Sequence, residues 1–338
     1  MPQLAQQVFV ERFLSWDRVR DRLDRFQHIR RAYPLALLEQ HRDTPPYFCH
    51  YMAWRLGTWN NEGLLARFDH LLGIGEGLPG WADERTMLQS PDFSVYWSLL
   101  WQLQMAEHLL AVGTEVRWNN PGPDLAVTID GTRIYVECFV FRKSFGIRLF
   151  LEDILGRLSP DIRLDHDYCL PFSLPRDRDA TEFLDGALRP FLDDAAIQRL
   201  RVDAQTRYPV IVAQPASTLV IFLEGADASA YDPTIHQSVT GDPEHHLRVI
   251  LSEALAQKAG ANALAAHRPN LVAVNYLLST DAQVALTLRG LPPPPSLPEG
   301  IDGFAVAPGV GIDGSVAREQ LLLLACREPM LYAIGVAP

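Results

Sequence analysis

Paired cysteines are missing from this chain. Its four thiols, Cys49, Cys138, Cys169 and Cys326, lie far apart, with no C-x-x-C spacing and no histidine at zinc-finger distance from any of them. That excludes the usual zinc-ribbon and zinc-finger frameworks, and reduced, mostly buried thiols are the expectation. Long apolar runs are missing as well. The stretch from Leu271 to Leu278 is far too short to cross a bilayer, and Glu11 and Arg12 fall where a signal peptide needs an apolar core. These absences predict a soluble cytoplasmic protein with no membrane association.

Positive charge is in deficit: 30 Lys and Arg against 41 Asp and Glu leave a formal net charge of −11. Nonspecific affinity for nucleic acid comes mainly from cations neutralising phosphates, so an all-over phosphate-binding surface is excluded and any such contact needs a local patch. The G-x-S-x-G, G-x-x-x-x-G-K-[ST] and H-E-x-x-H patterns are all absent, which removes the usual marks of serine hydrolases, P-loop NTPases and zincins. A G-x-G-x-x-G run from Gly309 to Gly314 lacks the following βαβ unit of a dinucleotide site and reads as a Gly-rich turn. The acid and histidine groups at Asp165-His166-Asp167 and at Asp242, Glu244, His245 and His246 read as surface features.

What is present is a helical first quarter. Between residues 4 and 31, Phe9, Phe13, Trp16, Val19, Leu23, Phe26 and Ile29 recur at steps of three and four, which predicts one long amphipathic helix. Its stripe is assigned to the core or to a partner contact. Helical pattern continues through His50 to Arg55 and Glu62 to Leu72 and stops in the Gly-rich Gly73 to Gly80, so residues 1–90 form a helical N-terminal region. Phe93 to Val112 is nearly continuous helix former with Gly113 as its stop, and it buries much of its circumference.

Two strands follow, Leu125 to Ile129 and Thr132 to Phe141, joined at Asp130-Gly131, a dipeptide suited to the positive φ angles of a two-residue hairpin. Beyond come a helix near Leu149 to Leu158 and a Pro- and Asp-rich excursion with further helix, an insertion at about 159–205. Strands are expected at Val210 to Val212 and Leu219 to Leu223, and a helix opened by Asp242-Pro243-Glu244 runs to about Ala265. Leu271 to Leu278 is a short apolar strand, and residues 286–338 hold a Pro-rich linker and a β-like C-terminal extension.

The hairpin carries the chemistry. With Asp130 and Gly131 as the turn, Ile129 pairs with Thr132, and counting outward sets Asp124 opposite Glu137; a three-residue turn would shift that pairing. Side chains so opposed sit about 5 Å apart at Cβ, and like charges there are destabilising unless something positive lies between them. A divalent cation is the simplest candidate. Alternation supports the register: Leu125, Val127, Ile129, Ile134 and Val136 share an apolar face, while Asp124, Thr128, Arg133, Tyr135 and Glu137 share the other.

A helix followed by a hairpin with Pro123-Asp124 on one strand and Glu137 on the next resembles the PD-(D/E)XK superfamily of restriction-endonuclease-like nucleases, over roughly residues 93–143 and 243–278. The resemblance implies an α/β fold with a restriction-endonuclease-like core (helix, hairpin, helix, strand) within residues 91–285. It implies a Mg²⁺ or Mn²⁺ site on Asp124 and Glu137, with an acid on the preceding helix, here Glu107, and it implies DNA as substrate. Glu107 either turns inward toward a cation or faces solvent. The motif's lysine, two residues after the glutamate, is replaced by Phe139. Lys143 and Lys258 are the available substitutes. Lys143 lies some 20 Å along an extended strand from Glu137, so Lys258 is preferred, with the adjacent Gln257 as the alternative, since members of the superfamily relocate the lysine or replace it by glutamine. The bland reading of Lys258 is a cation covering apolar surface near a helix end. Arg133, Arg142, Lys143 and Arg148 form the candidate phosphate-facing patch. The rival expectation is a catalytically degenerate fold of this kind that binds protein or nucleic acid. A protein partner for the N-terminal helices and a homodimer are left open.

Overall fold

The computed structural model describes residues 15–41, 50–58, 62–84, 87–88, 90, 93–141, 162–164, 210–214, 217–223, 255, 258, 262–276, 297–308, 316, 318–320 and 321–337. The first helix, α1 (Trp16–Arg25), starts at Ser15, whose Oγ accepts the Arg18 N–H at 3.3 Å. Asp17 in its first turn and Arg22 and Arg25 in its last oppose the ends of the helix dipole. The single long helix expected up to residue 31 is interrupted. Phe26 adopts an extended conformation (φ −106°, ψ 92°), caps α1 through its N–H on Arg22 O, and hands over to α2 (Gln27–Ala32). The break is stabilised from elsewhere: Asp69 Oδ1 accepts both the His28 and the Ile29 N–H at 2.8 Å, satisfying donors that a helix start leaves orphaned. Val19, Leu23 and Ile29 are all buried, so among the described residues the apolar stripe is core.

Helices α3 (Leu35–Gln40), α4 (Tyr51–Thr58), α5 (Glu62–Gly77) and α6 (Trp81–Glu84) follow. The Gly-rich stretch expected to end α5 instead lies partly inside it. A Cβ at Gly73 would stand 2.9 Å from His28 Nε2, and one at Gly75 would stand 2.5 Å from Leu103 Cδ2, so these glycines serve close packing and the helix stops later. Helix α7 (Phe93–Val112) has the expected bounds. It is buried nearly all round, by Leu99, Trp101, Leu103 and Leu109 among others, because helices cover one side of it and a sheet the other.

That sheet has six strands in the order β1 (Thr114–Trp118), β2 (Leu125–Ile129), β3 (Thr132–Phe141), β7 (Asn270–Tyr276), β8 (Gly303–Pro308) and β9 (Leu322–Cys326). The first three form an antiparallel meander; β7 runs parallel to β3, β8 runs parallel to β7, and β9 closes the edge antiparallel to β8. The C-terminal β segment therefore extends this sheet. The hairpin turn has positive φ at both Asp130 (47°) and Gly131 (78°), as a two-residue turn matched to strand twist requires. Pairing runs from Ile129 with Thr132 to Leu125 with Val136.

The two faces of the sheet bury different partners. Leu125, Val127, Ile134, Val136, Leu271 and Ala273 join α7 and the N-terminal helices in one core. Val272, Val274, Phe304 and Val306 pack on the opposite face with Leu255 and with Leu264 of α8 (Asn262–Ala265). The architecture is α/β. A separate three-stranded antiparallel sheet, β4 (Ile162–Leu164), β6 (Ser217–Leu223) and β5 (Val210–Gln214) in that order, contains the strands expected at 210–212 and 219–223. The helices expected at 149–158 and up to residue 200, the helix start at Asp242, and the Gly309 to Gly314 run lie outside the described residues, as do the two acid and histidine groups. Among the described residues no helix is long and apolar enough to cross a membrane.

Candidate active site

Asp124 is held at the mouth of β2 by a short loop. Its own carbonyl accepts the Asn119 N–H at 3.2 Å, and Gly122 between them has φ 144°, a conformation that side chains disfavour. The Asp124 carboxylate is oriented from two sides. Oδ1 accepts from Gln102 Nε2 of α7 at 2.8 Å, and Oδ2 accepts the Cys138 N–H of β3 at 2.6 Å. The observed ladder ends at Leu125 with Val136, one residue short of Asp124 and Glu137, and the Asp124 side chain reaches β3 through the Cys138 amide.

Glu137 lies midway along β3, paired with Val272 of β7. By strand alternation it projects with Tyr135 and Phe139, away from the α7 face occupied by Val136 and Cys138. Its side chain is 16% exposed and Oε1 accepts from Lys258 Nζ at 2.5 Å; Lys258 itself is 20% exposed. The same ammonium sits 5.4 Å from the centroid of the Phe139 ring, within cation–π range. Phe139 thus forms the floor under a lysine that reaches Glu137 from 121 residues further along the chain.

Glu107 does not join this group. Both its oxygens are taken by Arg67 of α5, one at 2.7 Å and the other in a still closer contact, with His70 at 3.6 Å. Five residues along a helix turn a side chain by about 140° and advance it by about 7.5 Å, so only one of Gln102 and Glu107 can face Asp124, and it is Gln102. Among the described residues no three His, Cys, Asp or Glu side chains converge as a metal-ligand group, and Glu107 is drawn to Arg67 instead of Asp124.

Gln102 is the residue that pattern reading missed. It is 5% exposed, on a helix buried nearly all round, where any polar side chain needs a partner; that requirement was the available signal. Its Nε2 is satisfied by Asp124, but its Oε1 is buried with no hydrogen-bond partner. Arg133 lies four residues before Glu137, about 13 Å along the strand, and faces Glu115 at 3.6 Å. Arg142, Lys143, Arg148 and Gln257 lie outside the described residues.

Compared with protein-family models, with curated proteins and with solved structures, the chain matches none.

Proposed function

We propose that this chain is a metal-dependent nuclease with a restriction-endonuclease-like core, hydrolysing DNA phosphodiester bonds at Asp124 and Glu137. The observation that carries the reading is the arrival of Lys258 on Glu137 across the Phe139 ring. The order of elements agrees with it: helix α7, the β1–β2–β3 meander bearing Pro123-Asp124 and Glu137, then a return segment and the parallel strand β7. Composition adds weight. The chain has only two lysines, Lys143 and Lys258, and uses arginine for every other basic side chain. A lysine on Glu137 therefore stands out against the chain's own habit, and its compact ammonium offers a point charge with three donors where a guanidinium presents a planar fork.

The residues present fit a divalent cation. Mg²⁺ takes oxygen ligands and one or two carboxylates, Asp124 and Glu137 supply them, and the buried Gln102 Oε1 lacks any partner. Bound there, the cation would polarise the scissile phosphate and ease the ionisation of water. The chain's own groups do the remainder. The two donors on Asp124 fix its carboxylate before substrate arrives. Lys258 is placed to orient a water beside Glu137 and to offset charge gathering on the phosphate. Phe139 covers one side of that ammonium, and lower local polarity strengthens its attraction for the phosphate. Because the overall charge is −11, DNA must be met by a patch, for which Arg133, Arg142, Lys143 and Arg148 are proposed. A plasmid-nicking assay with Mg²⁺, comparing wild type with Glu137→Gln, tests the activity: nicking by wild type alone supports it.

A further inference from the structure

We infer that the side-chain amide oxygen of Gln102 is the third protein ligand of the divalent cation, beside the carboxylates of Asp124 and Glu137. This rests on the nuclease reading above and names a donor that the carboxylate pattern does not contain. Three observations support it. Gln102 is 5% exposed, so its amide is removed from bulk water. Its Nε2 donates to Asp124 Oδ1 at 2.8 Å, which fixes which end of the amide is which, since the reversed amide would set oxygen against a carboxylate. Its Oε1 is left without a partner, a costly state for a buried acceptor.

An amide spans little more than 2 Å between its oxygen and its nitrogen, so an Oε1 whose Nε2 lies on Asp124 Oδ1 is itself beside the Asp124 carboxylate. Neutral amide oxygens are ordinary ligands for hard cations. Glu107, the helix acid that would otherwise supply charge, is committed to Arg67. The cation would then meet two carboxylates and one neutral oxygen, with Lys258 holding part of the Glu137 charge.

The test is Mn²⁺ binding, followed by electron paramagnetic resonance and calorimetry, to wild type, Gln102→Met and Gln102→Glu, with thermal melts as a folding control. Methionine keeps the length but offers no oxygen; glutamate keeps the oxygen but loses the N–H. The inference predicts at least tenfold weaker Mn²⁺ binding in Gln102→Met, and binding in Gln102→Glu at least as tight as wild type. If Gln102 serves only to hold Asp124 through its N–H, Gln102→Glu binds as weakly as Gln102→Met, and the inference is overturned. Wild-type affinity in Gln102→Met overturns it too, while leaving the nuclease reading standing. A wild type that binds no Mn²⁺ overturns both. Should Gln102→Met fail to fold, Gln102→Asn, which withdraws the oxygen by one methylene, is read against the same expectation of weakened binding.

Discussion

The Lys258 ammonium stands 5.4 Å from the centroid of the Phe139 ring while its Nζ lies 2.5 Å from Glu137 Oε1. Phe139 and Lys258 are therefore neighbours, with the ammonium of the lysine seated on Glu137. Lys258→Met is expected to lower Mg²⁺-dependent nicking by at least about 100-fold, the scale typical for a positioned proton-handling group. Phe139→Lys in the Lys258→Met background is expected to recover part of that loss. Nicking rates of the three proteins, with circular dichroism to show that each is folded, check both expectations.

Glu107 is predicted to matter for stability and not for the cation. Its pairing with Arg67 is part-buried, with side chains 23% and 16% exposed. Glu107→Gln removes the negative charge that faces the Arg67 guanidinium and one of its two acceptors, at a cost of roughly 1–3 kcal/mol. Thermal unfolding should show a clear drop in Tm, while calorimetry should find Mg²⁺ affinity unchanged.

His50 sets a pH dependence of folding. Burial holds its imidazole neutral and pushes its pKa down to about 4, against a smaller upward pull from the Leu88 carbonyl. The unfolded chain, titrating near 6.5, binds more protons than the folded one between those two values. Stability from this group is thus fully present above pH 6.5 and is lost as pH falls toward 4, by on the order of 3 kcal/mol. Urea unfolding of wild type at pH 7 and pH 4.5 should show that loss, and His50→Gln should show a smaller difference between the same two pH values.

Much of the core was legible because its signals are local. Asp130-Gly131 sets a two-residue turn, the alternation from Leu125 to Phe141 sets the faces, and together they give the register from Ile129 with Thr132 to Leu125 with Val136. The failures all involve partners far away in the chain. The break at Phe26 depends on Asp69, about forty residues later. The glycines at 73 and 75 read as a helix stop, yet they make room for His28 and Leu103. Gln102 and Glu107 share a helix buried nearly all round, so periodicity could not say which of them meets Asp124. The choice of Lys258 over Lys143 came from reach along a strand, while its seat on Phe139 is a tertiary contact that no local pattern encodes.

The central claim is that Asp124 and Glu137 hold a divalent cation and use it on DNA, and titration of Mg²⁺ and Mn²⁺ by calorimetry, with plasmid nicking run on the same preparations, tests it most directly. Wild type should bind the metal and nick DNA, while folded Asp124→Ala/Glu137→Ala should do neither. A wild type that binds no metal, or a double variant that binds and nicks as wild type does, contradicts the account.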